Sequence, residues 1–316
     1  MRGFHLQHVY ESQQFDRQLL ELVFQVADEM RADFVAPARR FAKALEGKIM
    51  ASLFYEPSTR TRFSFESAMA RLGGQILTTE NAKEFSSAAK GESLCDSTRV
   101  MNGYADVIVM RHSQAGSAKK AAEVSRIPVI NAGDGAGQHP TQALLDLYTI
   151  KDTFGSIENL KIAMVGDLRY GRTVRSLCYL LAKYKNVRIY FIAPSVCKMD
   201  EDIKDYLDRI EVAWEEEDSL EKVLPIVDCV YMTRIQKERF HDPLDYQQAA
   251  GKYVLTPEKV QLMKSQAIIM HPLPRVDEIP LEVDQDPRAH YFAQAQNGLY
   301  IRMALLYLLL GKDSVT

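Results

Sequence analysis

The stretch that decides the fold reads Ile49-Met50-Ala51-Ser52-Leu53-Phe54-Tyr55, then Glu56-Pro57-Ser58-Thr59-Arg60-Thr61-Arg62, then Phe63-Ser64-Phe65-Glu66-Ser67-Ala68-Met69-Ala70-Arg71-Leu72-Gly73-Gly74. Its first part is an apolar run of strand length, stopped by Pro57. In its last part Phe63, Phe65, Ala68, Met69 and Leu72 read as one apolar helical stripe, closed by the two glycines. A further strand follows over 75–79, and strand, helix, strand in that order favours a parallel sheet.

Ser58, Thr59, Arg60, Thr61 and Arg62 then fall in the first turn of the helix. Unpaired backbone N–H groups and the positive end of the helix dipole already favour an anion there. A lone Ser-Thr pair would be an ordinary cap. Two arginines argue for more, because cations oppose the dipole unless an anion is present, and an Arg fork matches a phosphate face. A phosphate-type ligand is the expectation.

Outward from this site, residues 14–46 carry helical spacing followed by a basic, alanine-rich segment. The loop over 84–92 is small and polar, and by position alone Lys90 reads as a solvated charge. A buried strand over 106–110 ends in Arg111-His112. Ligands of open parallel sheets gather beyond the carboxyl ends of strands, so Arg111 has the address of the same anion, although a surface arginine would look alike. The strand over 128–132 opens into Gly133-Asp134-Gly135-Ala136-Gly137, whose glycines permit close approach of backbone to a ligand. Pro140 suits a first helical position. His139 and Gln142 therefore stand at a second strand-to-helix junction, as substrate ligands or, for His139, as a plain cap.

The pattern resets over 151–160. Strands at 161–165, 187–193, 228–232 and 267–270 alternate with helices at 174–184, 200–209, 219–226 and 256–264. The Gly-rich turn Gly166-Asp167-Leu168-Arg169-Tyr170-Gly171 is not Gly-x-Gly-x-x-Gly, so no nicotinamide cofactor is expected. Polar groups mark three strand ends: Arg172; Thr233-Arg234-Ile235-Gln236; and His271-Pro272-Leu273-Pro274-Arg275. Two arginines converging on one crevice would hold a dicarboxylate. An apolar helix over 297–310 is expected to return to the first half. The expected fold class is α/β, with two doubly wound parallel-sheet domains and the active site in the cleft between them. The domains are 1–145 with 292–316, and 146–291.

A chain of 316 residues, 47% apolar and 26% charged, fits two soluble domains. A net charge of -3, with no stripe of Lys and Arg, argues against nucleic acid as the partner. Cys95, Cys178, Cys197 and Cys229 are widely spaced and read as reduced structural thiols. The apolar run 299–310 is interrupted by Arg302 and too short for a bilayer, so no membrane partner is expected. The polar start carries no secretory signal. The expected location is cytoplasmic, or plastid where a transit peptide has been removed.

Seven segments in order resemble the aspartate/ornithine carbamoyltransferase family: 58–62, 90–92, 110–112, 139–142, 171–173, 233–236 and 271–275. Pro272 where the ornithine branch typically has Cys, and the lack of a Ser-Met-Gly loop, favour the aspartate branch. Glu84-Phe85-Ser86-Ser87-Ala88-Ala89-Lys90 is similar to the plant-type members. The resemblance implies carbamoyl transfer from carbamoyl phosphate to L-aspartate, the committed step of de novo pyrimidine synthesis. It assigns Ser58, Thr59, Arg60, Thr61, Ser86, Lys90, Arg111, His139, Gln142, Leu273 and Pro274 to carbamoyl phosphate. Lys90, Arg172, Arg234, Gln236 and Leu273 fall to aspartate, and Arg60, Thr61, Lys90, Arg111 and His139 to catalysis. It further implies a homotrimer in which Ser86 and Lys90 reach a neighbour's site, no cofactor or metal, and, for a plant-type enzyme, feedback inhibition by UMP. A carbamoyltransferase for another amine and a non-catalytic relative are the alternatives.

Overall fold

Apolar runs pair in parallel in two separate sheets. The structure, a computed structural model, describes residues 3–85, 87–237, 240 and 242–311. The chain divides into two units, 1–145 with 296–316, and 146–295.

Unit 1 holds α1 (Arg17–Val35), β1 (Ile49–Phe54), α2 (Thr59–Arg71), β2 (Gln75–Glu80), α3 (Ala82–Phe85), α4 (Leu94–Met101), β3 (Val107–His112), α5 (Ser117–Val124) and β4 (Val129–Asp134). Its sheet has the order β2-β1-β3-β4, with every pair parallel. Ala51, Ile108, Met110 and Val129 meet Ala118, Ala121 and Ala122 in one core. The N-terminal segment adds a strap along β4: Val9 N–H donates to Val129 O (2.8 Å) and Val9 O accepts from Asn131 N–H (2.7 Å).

The helix after β1 keeps four members of its expected stripe, since Phe65, Ala68, Met69 and Leu72 are wholly buried. Phe63 is not among them: it is 54% exposed, with the Arg62 guanidinium 4.9 Å from its ring centre. Positions 65, 68, 69 and 72 share a helical face, whereas a residue two before the first points about 200° away. Each fully buried large apolar side chain contributes about 1.5–3 kcal/mol.

Helix α6 (Pro140–Phe154) runs across the division into unit 2. There follow β5 (Lys161–Val165), α7 (Arg172–Leu181), β6 (Arg188–Ile192), α8 (Glu201–Arg209), β7 (Ala213–Glu216), α9 (Leu220–Val223), β8 (Cys229–Met232), α10 (Pro243–Ala249), α11 (Pro257–Val260) and β9 (Ile268–Met270). Helix α12 (Tyr291–Leu310) crosses back. The second sheet has the order β7-β6-β5-β8-β9, again parallel throughout. Strands buried on both faces explain the unbroken apolar runs Ile162–Val165 and Cys229–Met232.

All four cysteines are free thiols. Burial pushes Cys178 and Cys197 up to about 12, so neither is a thiolate nucleophile at neutral pH. Among the described residues no helix is long and apolar enough to cross a membrane.

Candidate active site

Each sheet has one place where the strand order reverses, and the polar strand ends gather there. In unit 1 it lies between β1 and β3, which pair directly with Phe54 opposite Arg111. Tyr55 N–H donates to Arg111 O (2.8 Å), so the turn into α2 and the end of β3 are stitched together. A crevice at such a switch point is where an open α/β sheet receives its ligand.

Ser58 is the N-cap residue of α2, yet its hydroxyl makes no bond to the helix's own amides. Thr59 and Arg60 are exposed, and Thr61 is buried at 7% exposure. Arg62 faces another way and pairs with Glu80 of β2 (2.9 Å), which explains one first-turn arginine without a ligand. Arg111 is anchored on two sides. Its Nη1 donates to Ala132 O (3.3 Å), and its Nε lies 3.1 Å from Glu56 Oε2, an ion pair off hydrogen-bond alignment.

Between Met110↔Asn131 and His112↔Asp134 the register shifts, with Arg111 opposed by both Ala132 and Gly133. A bulge of this kind re-aims the side chain beside it. The glycines that follow are required by the chain itself. Gly135 has φ +52°, and a Cβ there would stand 2.3 Å from Ser113 O. Asp134 closes the turn, with Oδ1 accepting from Gln138 N–H (2.6 Å) and Oδ2 from Gly116 N–H (2.7 Å). That turn delivers His139, 4% exposed, to the start of α6. Its carbonyl accepts from Gln142 and Ala143 N–H (3.0 and 3.1 Å), so its backbone is a cap, and Gln142 stands one turn inside.

Lys90 ends a short 3-10 helix over Ser87–Lys90 and is exposed; among the described residues no hydrogen bond or ion pair joins it to this cluster. Ser86 lies outside the described residues.

In unit 2 the order reverses between β5 and β8. Thr233 knits their ends: its Oγ1 donates to Val165 O (2.9 Å) and accepts from Asp167 N–H (2.9 Å). Gly166, at φ +110°, allows the approach, since a Cβ would lie 2.3 Å from Thr233 O. Arg172 opens α7 and is 8% exposed, a second cation at a helix N-terminus. Arg234 and Gln236 follow β8 in a half-buried irregular segment. Leu273 and Pro274 follow β9, which pairs with β8.

The sequence reading left out Glu56, which partners Arg111, and Glu278, which partners His271 at 2.7 Å. An acid directly after a strand end was the available signal for the first. Glu278 gave none, because it looks like one more charge in a polar loop. Among the described residues no cluster of three His, Cys, Asp or Glu could hold a metal ion.

Comparison with known proteins is consistent along the whole chain. Residues 7–152 match the model of the aspartate/ornithine carbamoyltransferase carbamoyl-P binding domain, and residues 158–309 that of the Asp/Orn binding domain. The chloroplastic aspartate carbamoyltransferase of Arabidopsis thaliana is 58% identical over 98% of this chain and 79% of its own length. The catalytic subunit of M. jannaschii aspartate transcarbamoylase superposes with a TM-score of 0.89 at 46% identity, covering 98% of this chain and 100% of that one. Aspartate transcarbamoylase from Trypanosoma cruzi, solved with carbamoyl phosphate and aspartate, superposes with a TM-score of 0.91 at 38% identity over 96% and 97%. The chain belongs to the aspartate/ornithine carbamoyltransferase family, and its activity is that of the aspartate carbamoyltransferases.

Proposed function

We propose that the two switch-point clusters divide this reaction between them, unit 1 binding carbamoyl phosphate and unit 2 binding L-aspartate. One observation carries the division: α2 opens at a switch point with hydroxyls, amides and Arg60 beside the anchored Arg111. The other switch point offers Arg172 and Arg234. The first set suits a phosphate, the second two carboxylates.

Ser58, Thr59, Arg60, Thr61 and Arg111 take the phosphate. Thr61, Arg111 and His139 donate to the carbamoyl oxygen, while Gln142 and the carbonyls of Leu273 and Pro274 accept from its amide. Arg172, Arg234 and Gln236 hold aspartate with its neutral α-amine toward the carbamoyl carbon. The amine lone pair forms the C–N bond and the carbonyl electrons move to oxygen, where the same donors stabilise the charge. Re-forming the carbonyl breaks the bond to the phosphate oxygen, and the departing phosphate takes the amine proton. No covalent enzyme intermediate is required. Positioning supplies most of the rate, on the order of 7–11 kcal/mol for well-oriented reactants.

Lys90 and Ser86 belong to the segment we assign to a neighbouring subunit's site, in a homotrimer, with Lys90 reaching both substrates. The likeness to chloroplastic relatives supports a plastid location and, as a further expectation, inhibition by UMP. The test is product formation by the purified chain. Carbamoyl phosphate with aspartate yields carbamoyl aspartate, and ornithine yields nothing. Turnover of ornithine, or of neither amine, overturns the assignment. Mixing inactive Lys90→Ala with inactive Arg60→Ala restores part of the activity if sites are shared, and none if each subunit is self-sufficient.

A further inference from the structure

Beneath the turn that carries Leu273 and Pro274 lies a chain of buried polar groups with no assigned role. Leu273 N–H donates to His271 Nδ1 at 2.8 Å. A main-chain N–H can only donate, so Nδ1 must present its lone pair and the ring proton of the neutral imidazole sits on Nε2. Nε2 in turn lies 2.7 Å from Glu278 Oε1. The other carboxylate oxygen accepts from the amides of Val276 and Asp277, both at 3.2 Å. Turning the ring over would put carbon where each nitrogen stands and break both bonds.

The clamp continues inward. His271 N–H donates to Gln294 Oε1 (2.8 Å), and Gln294 Nε2 donates to Asp146 Oδ1 (2.6 Å). Tyr231 OH donates to the other oxygen of Asp146 at 2.7 Å. Burial, then the charge of Asp146, pushes the Tyr231 phenol far up, so it remains a donor at any working pH. None of His271, Gln294, Asp146 or Tyr231 is more than 1% exposed. Past the turn, Arg275 is fixed by Asp284 (Nη2 to Oδ2, 2.6 Å) and Tyr291 (3.0 Å).

Apolar side chains could anchor a surface turn at lower desolvation cost, so so many buried polar groups need another reason. Leu273 supplies one. It sits at φ +54°, a region that a branched L side chain disfavours and keeps only when its surroundings hold it. The hydrogen bond from the Leu273 N–H to His271 therefore fixes the peptide group before Leu273 directly and, with φ held, the one after it, which carries the Leu273 carbonyl.

We propose that His271 is a positioning residue for carbamoyl phosphate: through Nδ1 it sets where the Leu273 carbonyl stands to receive the carbamoyl amide, with Glu278 and Gln294 fixing its ring and backbone. The inference rests on the assignment of that carbonyl to that amide. It adds the group that aims it.

The test compares equilibrium binding of carbamoyl phosphate and of acetyl phosphate, in which a methyl replaces the amide. It uses the full chain and its His271→Ala, His271→Asn and His271→Gln variants, with kcat and melting temperature measured alongside. The wild type should prefer carbamoyl phosphate. His271→Ala should lose about tenfold on carbamoyl phosphate, as for one misplaced hydrogen bond, and nothing on acetyl phosphate. An Asn oxygen can accept from the amide two residues on, so His271→Asn should recover most of the preference and of kcat. His271→Gln, whose amide reaches toward Glu278 instead, should not.

Equal binding of both ligands by the wild type overturns the carbonyl assignment itself. A wild-type preference that survives in His271→Ala, or that Asn and Gln preserve alike, overturns the positioning role while leaving that assignment intact. Equal loss on both ligands assigns His271 to general stability and also overturns it. Should the Ala variant not fold, the Asn and Gln pair decides.

Discussion

Arg302, in the last helix, donates from Nη1 to Ser64 Oγ at 2.9 Å, joining α12 to the helix that opens with the anion cluster. The two residues are 238 positions apart in sequence. Arg302 is only 3% exposed, and its guanidinium lies 5.0 Å from the centre of the Phe65 ring. The arginine that interrupts the otherwise apolar run 299–310 thus braces α2. Arg302→Ala should lower stability by about 2–3 kcal/mol through lost packing and an exposed cavity. Chemical denaturation checks the loss.

Arg60 should show the opposite balance. It is exposed in the first turn of α2 and makes no ion pair with a described residue. A cation there opposes the helix dipole, so Arg60→Ala should leave stability unchanged or raise it by about 0.3–1 kcal/mol. If Arg60 clamps the departing phosphate as proposed, removing it should nevertheless cost roughly 100- to 1,000-fold in kcat. Melting curves and steady-state rates on the same preparation test both halves.

Arg234→Ala should separate the two substrates. Loss of one charge-assisted contact to a carboxylate, worth about 1.5–3 kcal/mol, should raise the KM for aspartate some 10- to 100-fold. Carbamoyl phosphate affinity, measured at equilibrium without aspartate, should not change.

Glu278 gives a pH signature. Burial alone would raise its carboxyl, but the His271 hydrogen bond and nearby amides outweigh burial and hold it below the ordinary 4.5. A group depressed in the folded state contributes stability above its unfolded pKa and loses it as pH falls through the folded one. This contribution should be constant from neutral pH down to about 4.5 and fade below that. Glu278→Gln should lower stability at neutral pH and shallow the acid decline, as denaturation midpoints across pH will report.

Apolar runs were the most legible part of the sequence. Lys161–Val165 was read to the residue as a strand, because four of its five positions are buried and apolar. The edge strand Ala213–Glu216 passed unread, since none of its four positions is buried and two of them carry acids. Helix α12 starts at Tyr291, six residues before the position read from sequence. The cause is Gln294, polar but 1% exposed, whose partner Asp146 lies 148 residues away. The eight-residue helices α4 and α5 were too short for periodicity to reveal. Of the candidate site, the places of Arg60, Arg111, His139 and Arg172 at helix starts and strand ends were legible because such positions have sequence marks, whereas Ser86 and Lys90 were assigned by resemblance alone. Asp146 and Gln294 were not legible, because a hydrogen bond across 148 residues leaves no local trace.

The crossing of the division by α6 and α12 also bears on biogenesis. Unit 1 takes in residues from both ends of the chain, whereas unit 2 is one uninterrupted segment. On the ribosome, all of unit 2 emerges before Arg302 leaves the exit tunnel to meet Ser64. The half encoded first is thus the half completed last, and a nascent chain from which only residues up to about 295 have emerged would expose the apolar surface that α12 covers.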